Sequence, residues 1–208
     1  MSPLRFGIVG TGFIAGAFAR ALNDTDAGTL VAVASRDPRR AEQFAQRHGA
    51  DRGWGTYEAL FDSGGVDAVF VATPTLTKIG LAERALAAGL HVLIDKPFPN
   101  ADELGPLIEQ ARTRQRVLMD GTHFVHHART ALVQNGMSEK LGTPRSCNTT
   151  FYVPFSSRDN IRYSPALEPT GAWGDTGWYA MRAIVEFLDR APVIEHLAAV
   201  GDFDAETG

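Results

Sequence analysis

Cysteine is almost absent: among 208 residues there is one, Cys147. A single thiol excludes an internal disulfide framework and fits a reducing compartment. Lysine is nearly as scarce, with only Lys78, Lys96 and Lys140 among the 20 basic residues. There is no basic surplus, since 24 acidic residues leave a net charge of −4. That removes the main attraction to nucleic acid or to an anionic membrane, both of which reward a positive face. No apolar run approaches the roughly 20 residues needed to span a bilayer. Only Met1, Ser2 and Pro3 precede the first apolar run, too few for a signal peptide, so the expected location is the cytoplasm. What is present is 44% hydrophobic and 21% charged, a composition that buries a core and excludes disorder.

Up to Gly121 the chain alternates short apolar runs with helical patterns. Strands are expected at Leu4–Val9, Leu30–Ser35, Asp67–Ala72, His91–Asp95 and Val117–Asp120. Helices are expected after the glycine-rich Gly10–Gly16, from Pro38 to His48 with Gly49 as its stop, behind Thr56 as a cap, over Lys78–Ala88, and from an Asn100 cap towards Arg114. Strands joined by crossover helices make an α/β fold, a doubly wound parallel sheet of Rossmann type over residues 1–121. Residues 122–208 read differently. A helix is expected at His127–Gly136, strands at Ser146–Val153 and Val193–Val200, and a well-packed helix at Thr176–Leu188 carrying Trp178, Met181, Val185 and Leu188. The turn at Asp204–Gly208 opens a hairpin with no second strand behind it. This second α/β domain therefore reads as incomplete, with an exposed edge.

Gly10-Thr11-Gly12-Phe13-Ile14-Ala15 follows a strand and opens a helix, the context that a dinucleotide-binding G-x-G-x-x-G/A motif requires. Gly10 permits the tight turn, Gly12 lets backbone approach a pyrophosphate, and Ala15 keeps helix and strand close. The second strand selects the dinucleotide. About 20 residues beyond the motif, where NAD-binding chains carry an acid for the ribose 2′-hydroxyl, stand Ser35 and Arg36, with Arg39 and Arg40 behind them. A hydroxyl and guanidinium groups suit a 2′-phosphate, so NADP is the expected cofactor and NAD the lesser one; the bland alternative is that these arginines decorate an exposed helix start.

From Ala72-Thr73-Pro74 and Asp95-Lys96-Pro97 onward the chain resembles the Gfo/Idh/MocA oxidoreductases, the family of glucose–fructose oxidoreductase, inositol dehydrogenase and dihydrodiol dehydrogenase. The resemblance runs from Phe6 to about Val200 and includes Gly171-Ala172-Trp173-Gly174-Asp175-Thr176-Gly177-Trp178-Tyr179. Further matches, at Met119-Asp120-Gly121-Thr122 and Asp159-Asn160-Ile161-Arg162, resemble a subgroup found in plants and bacteria. The resemblance implies a Rossmann domain followed by a larger open-sheet domain that binds substrate and often forms a dimer face; members are longer chains. It implies that Thr73, Pro74 and Asp95 contact the cofactor, that Lys96 reaches the substrate oxygen beside the nicotinamide, and that Tyr179 is the acid/base. Two positions depart from the family pattern: Asp95 replaces the usual glutamate, and Lys78 stands where a histidine is common. Lys78 either faces a cofactor phosphate or simply opens the next helix.

Two observations on these residues are independent of the resemblance. Asp175 and Tyr179 are four apart, which on one helix puts them on one face. A tyrosine, ordinarily titrating near pH 10, becomes a useful proton carrier beside a cation such as Lys96. The activity that the resemblance implies is hydride transfer between NADP and a carbinol or carbonyl carbon of a sugar, cyclitol or dihydrodiol. In oxidation Tyr179 takes the hydroxyl proton, Lys96 stabilises the oxygen, and Asp175 orients the pair or the substrate. A non-catalytic NADP-binding sensor is the alternative. His123, His126 and His127 lack the company of a metal motif and suit substrate binding or packing. Trp54 and Trp173 suit core or cleft, and Cys147 a small apolar filler.

Overall fold

In the computed structural model, which describes residues 3–137, 140, 142–154, 157, 159–188 and 193–201, the apolar run Leu4–Val9 is strand β1. It lies at the middle of a six-stranded sheet with β2 (Gly28–Ala34), β3 (Arg52–Trp54), β4 (Ala68–Val71), β5 (His91–Ile94) and β6 (Leu118–Asp120). The order is β3-β2-β1-β4-β5-β6 and every pairing is parallel. β4 is buried at all four positions, as a strand covered on both faces must be.

Successive residues point to opposite faces, and each face has its own core. Ile8, Val33 and Phe70 meet Ala15, Ala19 and Leu22 of helix α1 (Phe13–Asn23) and Phe44 of α2 (Pro38–His48). On the other face Val9, Val69 and Val71 meet helices α3 (Tyr57–Phe61), α4 (Lys78–Ala87) and α5 (Leu104–Thr113) through Leu60, Ile79, Leu81, Ala82 and Leu107. Ile8, Val9, Val69 and Val71 are fully buried, each worth about 1.5–3 kcal/mol. The caps follow the sequence. The Asp37 carboxylate accepts from the N–H of Arg39 and Arg40, Pro38 starts α2, and Gly49 ends it in the left-handed region. Thr56 caps α3 by accepting from the Ala59 N–H.

Two details differ from the sequence expectation. The edge strand β3 was not expected: its three residues carry no periodicity, and its pairing to β2 is tertiary. Asn100 accepts from the Glu103 N–H at 3.0 Å, so it caps a turn, and α5 starts afterwards at Leu104.

The chain divides into two compact units, Met1–Gly121 and Thr122–Gly208. In the second, the described residues form a 3₁₀ turn at His123–His126, helix α6 (Ala128–Gly136), a further 3₁₀ turn at Ile161–Tyr163, and helices α7 (Gly171–Asp175) and α8 (Gly177–Phe187). α6 and α8 are joined by the Gln134 amide, which donates to the Glu186 carbonyl and carboxylate at 3.2 and 3.1 Å. The expected strands at Ser146–Val153 and Val193–Val200 do not form, and Tyr152, Val193 and Val200 are 82%, 88% and 95% exposed. Alternation makes a strand only when a neighbour completes the ladder, and among the described residues of this unit there is none. For the same want of a covering layer α8 is amphipathic yet has no buried residue; Met181 and Leu188 lie at its exposed margin. The expected turn at Asp204–Gly208 lies outside the described residues.

One ion pair ties β1 to the start of β4. The Arg5 guanidinium and its backbone N–H both donate to the Asp67 carboxylate, which holds the Asp67 pKa at about 2 against an ordinary 3.8. A carboxylate held low contributes stability above its unfolded-state pKa and loses that contribution as pH falls towards 2. Asp67→Asn is therefore expected to lower the urea midpoint at pH 7 and to leave it nearly unchanged at pH 2. An equal loss at both pH values would mean that packing rather than charge is responsible.

Candidate active site

In a parallel sheet every strand ends on the same edge, and each motif singled out in the first unit lies there. At the end of β1, Gly10 has φ +106°, and a Cβ on it would sit 2.7 Å from the Ala72 carbonyl oxygen. Only glycine fits. Gly12 caps α1 in an extended conformation, and a Cβ there would meet no protein atom within 4 Å. The helix thus presents its first N–H groups and positive end to open space, the geometry that a pyrophosphate needs. Thr11 is half-buried, while Phe13 and Ile14 are exposed at 88% and 37%. A neighbouring cavity of about 280 Å³ is lined by Thr11, Gly12, Arg20, Arg47 and His48 among others. Burial and then the two arginines push the His48 pKa below its usual value, which keeps the ring neutral at pH 7.

At the end of β2, Ser35 is buried, its N–H donates to the Trp54 carbonyl, and its hydroxyl accepts from the Asp37 N–H at 3.3 Å. Asp37 is the carboxylate nearest this strand end in sequence, and it is engaged in capping α2. Arg36, Arg39 and Arg40 are exposed. Beside them the Arg52 guanidinium stacks over Trp54 at 3.8 Å, and Trp54 packs against the core.

At the end of β4, Thr73 is buried and its hydroxyl lies 2.9 Å from that of Thr77, which accepts from it, while the Pro74 carbonyl accepts from the Thr77 N–H and hydroxyl. Lys78 does open α4, but its side chain is 2% exposed. Its ammonium donates to the Lys96 carbonyl at 2.7 Å and the Pro97 carbonyl at 3.4 Å, and lies 3.8 Å from the Asp95 carboxylate. Lys96 itself is 9% exposed and precedes a cis proline peptide.

In the second unit Tyr179 is half-buried, stacked on Phe151 with centroids 4.7 Å apart and edge-on to His123 at 5.5 Å. Its hydroxyl lies 3.5 Å from His123 Nδ1. Asp175 is buried and bound through both oxygens by Arg162, at 2.5 and 3.0 Å. Asp175 and Tyr179 do not share one helix: α7 ends at Asp175, α8 begins at Gly177, and the Tyr179 N–H bonds back only three residues, to Thr176. The three histidines separate: His127 caps α6 by accepting from the Arg129 N–H, and His123 faces Tyr179. Trp173 is 59% exposed, and Trp178 donates to the buried Thr122 hydroxyl at 2.7 Å. Phe151 and Arg162 were not foreseen in these roles; Arg162 lies in a quoted motif, whereas nothing in the sequence marks Phe151.

Residues 4–122 match the family model described as an oxidoreductase family with an NAD-binding Rossmann fold. A dTDP-3,4-didehydro-2,6-dideoxy-alpha-D-glucose 3-reductase of Streptomyces antibioticus is 37% identical over 189 residues, which are 89% of this chain and 57% of the relative. A D-xylose 1-dehydrogenase (NADP(+)) of Haloferax volcanii is 31% identical over 188 residues, again 89% of this chain and 57% of the relative. Among solved structures, KijD10, a 3-ketoreductase from Actinomadura kijaniata in complex with NADP and TDP-benzene, superposes with a TM-score of 0.84 at 34% identity, covering 90% of this chain and 58% of that one. The chain thus spans a little over half the length of these relatives.

The two loop glycines are expected to respond differently to substitution. Gly10→Ala forces a Cβ onto the Ala72 carbonyl at an unfavourable φ and should destabilise the fold by about 2 kcal/mol. Gly12→Val places its bulk in open space and should leave the urea midpoint unchanged while weakening dinucleotide binding at least tenfold. Equal dinucleotide affinity in Gly12→Val would show that nothing docks over this loop.

Proposed function

This chain belongs to the Gfo/Idh/MocA family of oxidoreductases with an NAD-binding Rossmann fold, and from that premise we propose that it takes part in NADPH-dependent reduction of a keto sugar, with a nucleotide-linked deoxyketosugar as the first substrate to offer. The observation that carries the reading is the open, uncapped N-terminus of α1 on the same sheet edge as Lys96. The substrate class follows the reductase that is similar over 89% of the chain.

The pyrophosphate is assigned to the N–H groups of the Gly10–Ala15 loop, and the 2′-phosphate to the Ser35 hydroxyl with Arg36 and Arg40. Ser35 stands where NAD-binding chains carry their ribose acid, and the carboxylate nearest in sequence, Asp37, has one oxygen committed to capping α2. Thr73, Pro74 and Asp95 flank the nicotinamide end in this assignment. A bound nicotinamide supplies the hydride that reduces the carbonyl carbon. Lys96 stabilises the negative charge that develops on the carbonyl oxygen, and Tyr179 delivers the proton that completes the alcohol. Asp175 acts at one remove, by fixing Arg162. His123 is the group through which Tyr179 is reprotonated.

Nicotinamide fluorescence should show tighter binding of NADPH than of NADH. The Arg36→Ala, Arg40→Ala double variant should lose at least tenfold in NADPH affinity, with NADH affinity unchanged. Equal affinities in the parent protein would overturn the NADP assignment. Absorbance at the reduced-nicotinamide band should fall when a dTDP-linked ketosugar is added. Tyr179→Phe should slow that decay by about 10²–10⁴-fold without altering NADPH affinity. Binding of NADPH with no decay on any carbonyl offered would replace the enzyme by a sensor on the same scaffold.

A further inference from the structure

A buried ammonium is expensive unless it is paired and fully hydrogen-bonded, so what surrounds it shows what it is for. Among the described residues Lys78 is the largest of the side chains buried almost completely, and it comes from the first residue of α4. Its ammonium lies against three consecutive residues: the Asp95 carboxylate at 3.8 Å, the Lys96 carbonyl at 2.7 Å and the Pro97 carbonyl at 3.4 Å. The Asp95 side chain is itself only 15% exposed. Backbone bonds support the same turn: the Asp95 N–H donates to the Val71 carbonyl, and the Gly121 N–H to the Ile94 carbonyl. Lys78 is therefore a buried cation bound directly to the segment that carries Lys96.

We propose that Lys78 and Asp95 form one positioning unit for Lys96: the buried cation binds the carbonyl of Lys96 itself, and Asp95 supplies the charge that lets the cation stay buried. The two positions that depart from the family pattern thus belong to a single arrangement. A carboxylate one methylene shorter than glutamate stays at the strand end, and a lysine reaches it from α4. Lys78 is accordingly no phosphate ligand. The role in turnover rests on the reading of Lys96 given above; the role in holding the segment does not.

Two experiments test this, and the scarcity of lysine makes both easy to read, since Lys78, Lys96 and Lys140 are the whole set. The first is trace acetylation of the unliganded protein, with the label on Lys96 measured against the exposed Lys140 by mass spectrometry. Lys78→Met, which keeps the volume and removes the charge, should raise the Lys96 to Lys140 ratio at least threefold, and Asp95→Asn should do the same. An unchanged ratio in both variants overturns the proposal, and either variant suffices should the other fail to fold. The second is a double-variant cycle on hydride transfer. Lys78→Met should lower kcat at least tenfold in the parent protein and less than twofold in a Lys96→Met background, with NADPH affinity within threefold of the parent. Equal losses in both backgrounds would show that Lys78 does not act through Lys96. If the parent protein transfers no hydride at all, the proposed function fails, while the acetylation ratio still decides whether the clamp exists.

Discussion

Strand β1 pairs in parallel with β2 on one side and β4 on the other, and most of what the first unit offers a ligand follows from that arrangement. The chain must leave β1 towards one face, where α1 packs, and leave β4 towards the opposite face, where α4 packs. The two connections diverge, and the backbone between them opens. Gly10 follows β1 and lies against the Ala72 carbonyl just beyond β4, so the residue that permits the close approach also marks the crevice. The residues assigned to a dinucleotide in this unit sit along that edge because parallel strands share a direction.

Where local chemistry decides the structure, the sequence was a sufficient guide. The bounds of β1, the Pro38 start and Gly49 stop of α2, and the Thr56 cap of α3 each follow from one residue and its neighbours. Where a distant partner decides it, the sequence was silent or misleading. β3 is a strand because β2 lies beside it, and its three residues have no pattern of their own. Ser146–Val153 and Val193–Val200 alternate as strands do, yet no neighbour among the described residues supplies their ladder.

The candidate site divides along the same line. The glycine loop was legible because its geometry is set within six residues, and Ser35 because it stands at a fixed distance beyond them. The direction taken by Lys78 was not, since the carbonyls it binds lie 18 and 19 residues away, beyond another strand end. The spacing of Asp175 and Tyr179 invited a shared helical face, but the break at Thr176 puts them on different helices, and Asp175 is bound by Arg162. The stacking of Tyr179 on Phe151 joins residues far apart in sequence and leaves no local trace.

The cap on α2 bears on how such a protein could exchange one nucleotide for the other. Asp37 lies two residues past the end of β2's sequence-predicted span and carries the charge that a ribose diol favours. Its oxygen already holds the first turn of a helix whose Phe44 and Ala45 are part of the core. Recruiting that oxygen to a sugar would uncap α2 at about 1 kcal/mol. A ribose contact made through that oxygen would therefore trade against helix stability. An evolutionary switch would have to introduce a fresh carboxylate, with Ser35 the position already turned to that strand end, rather than redirect the one in place.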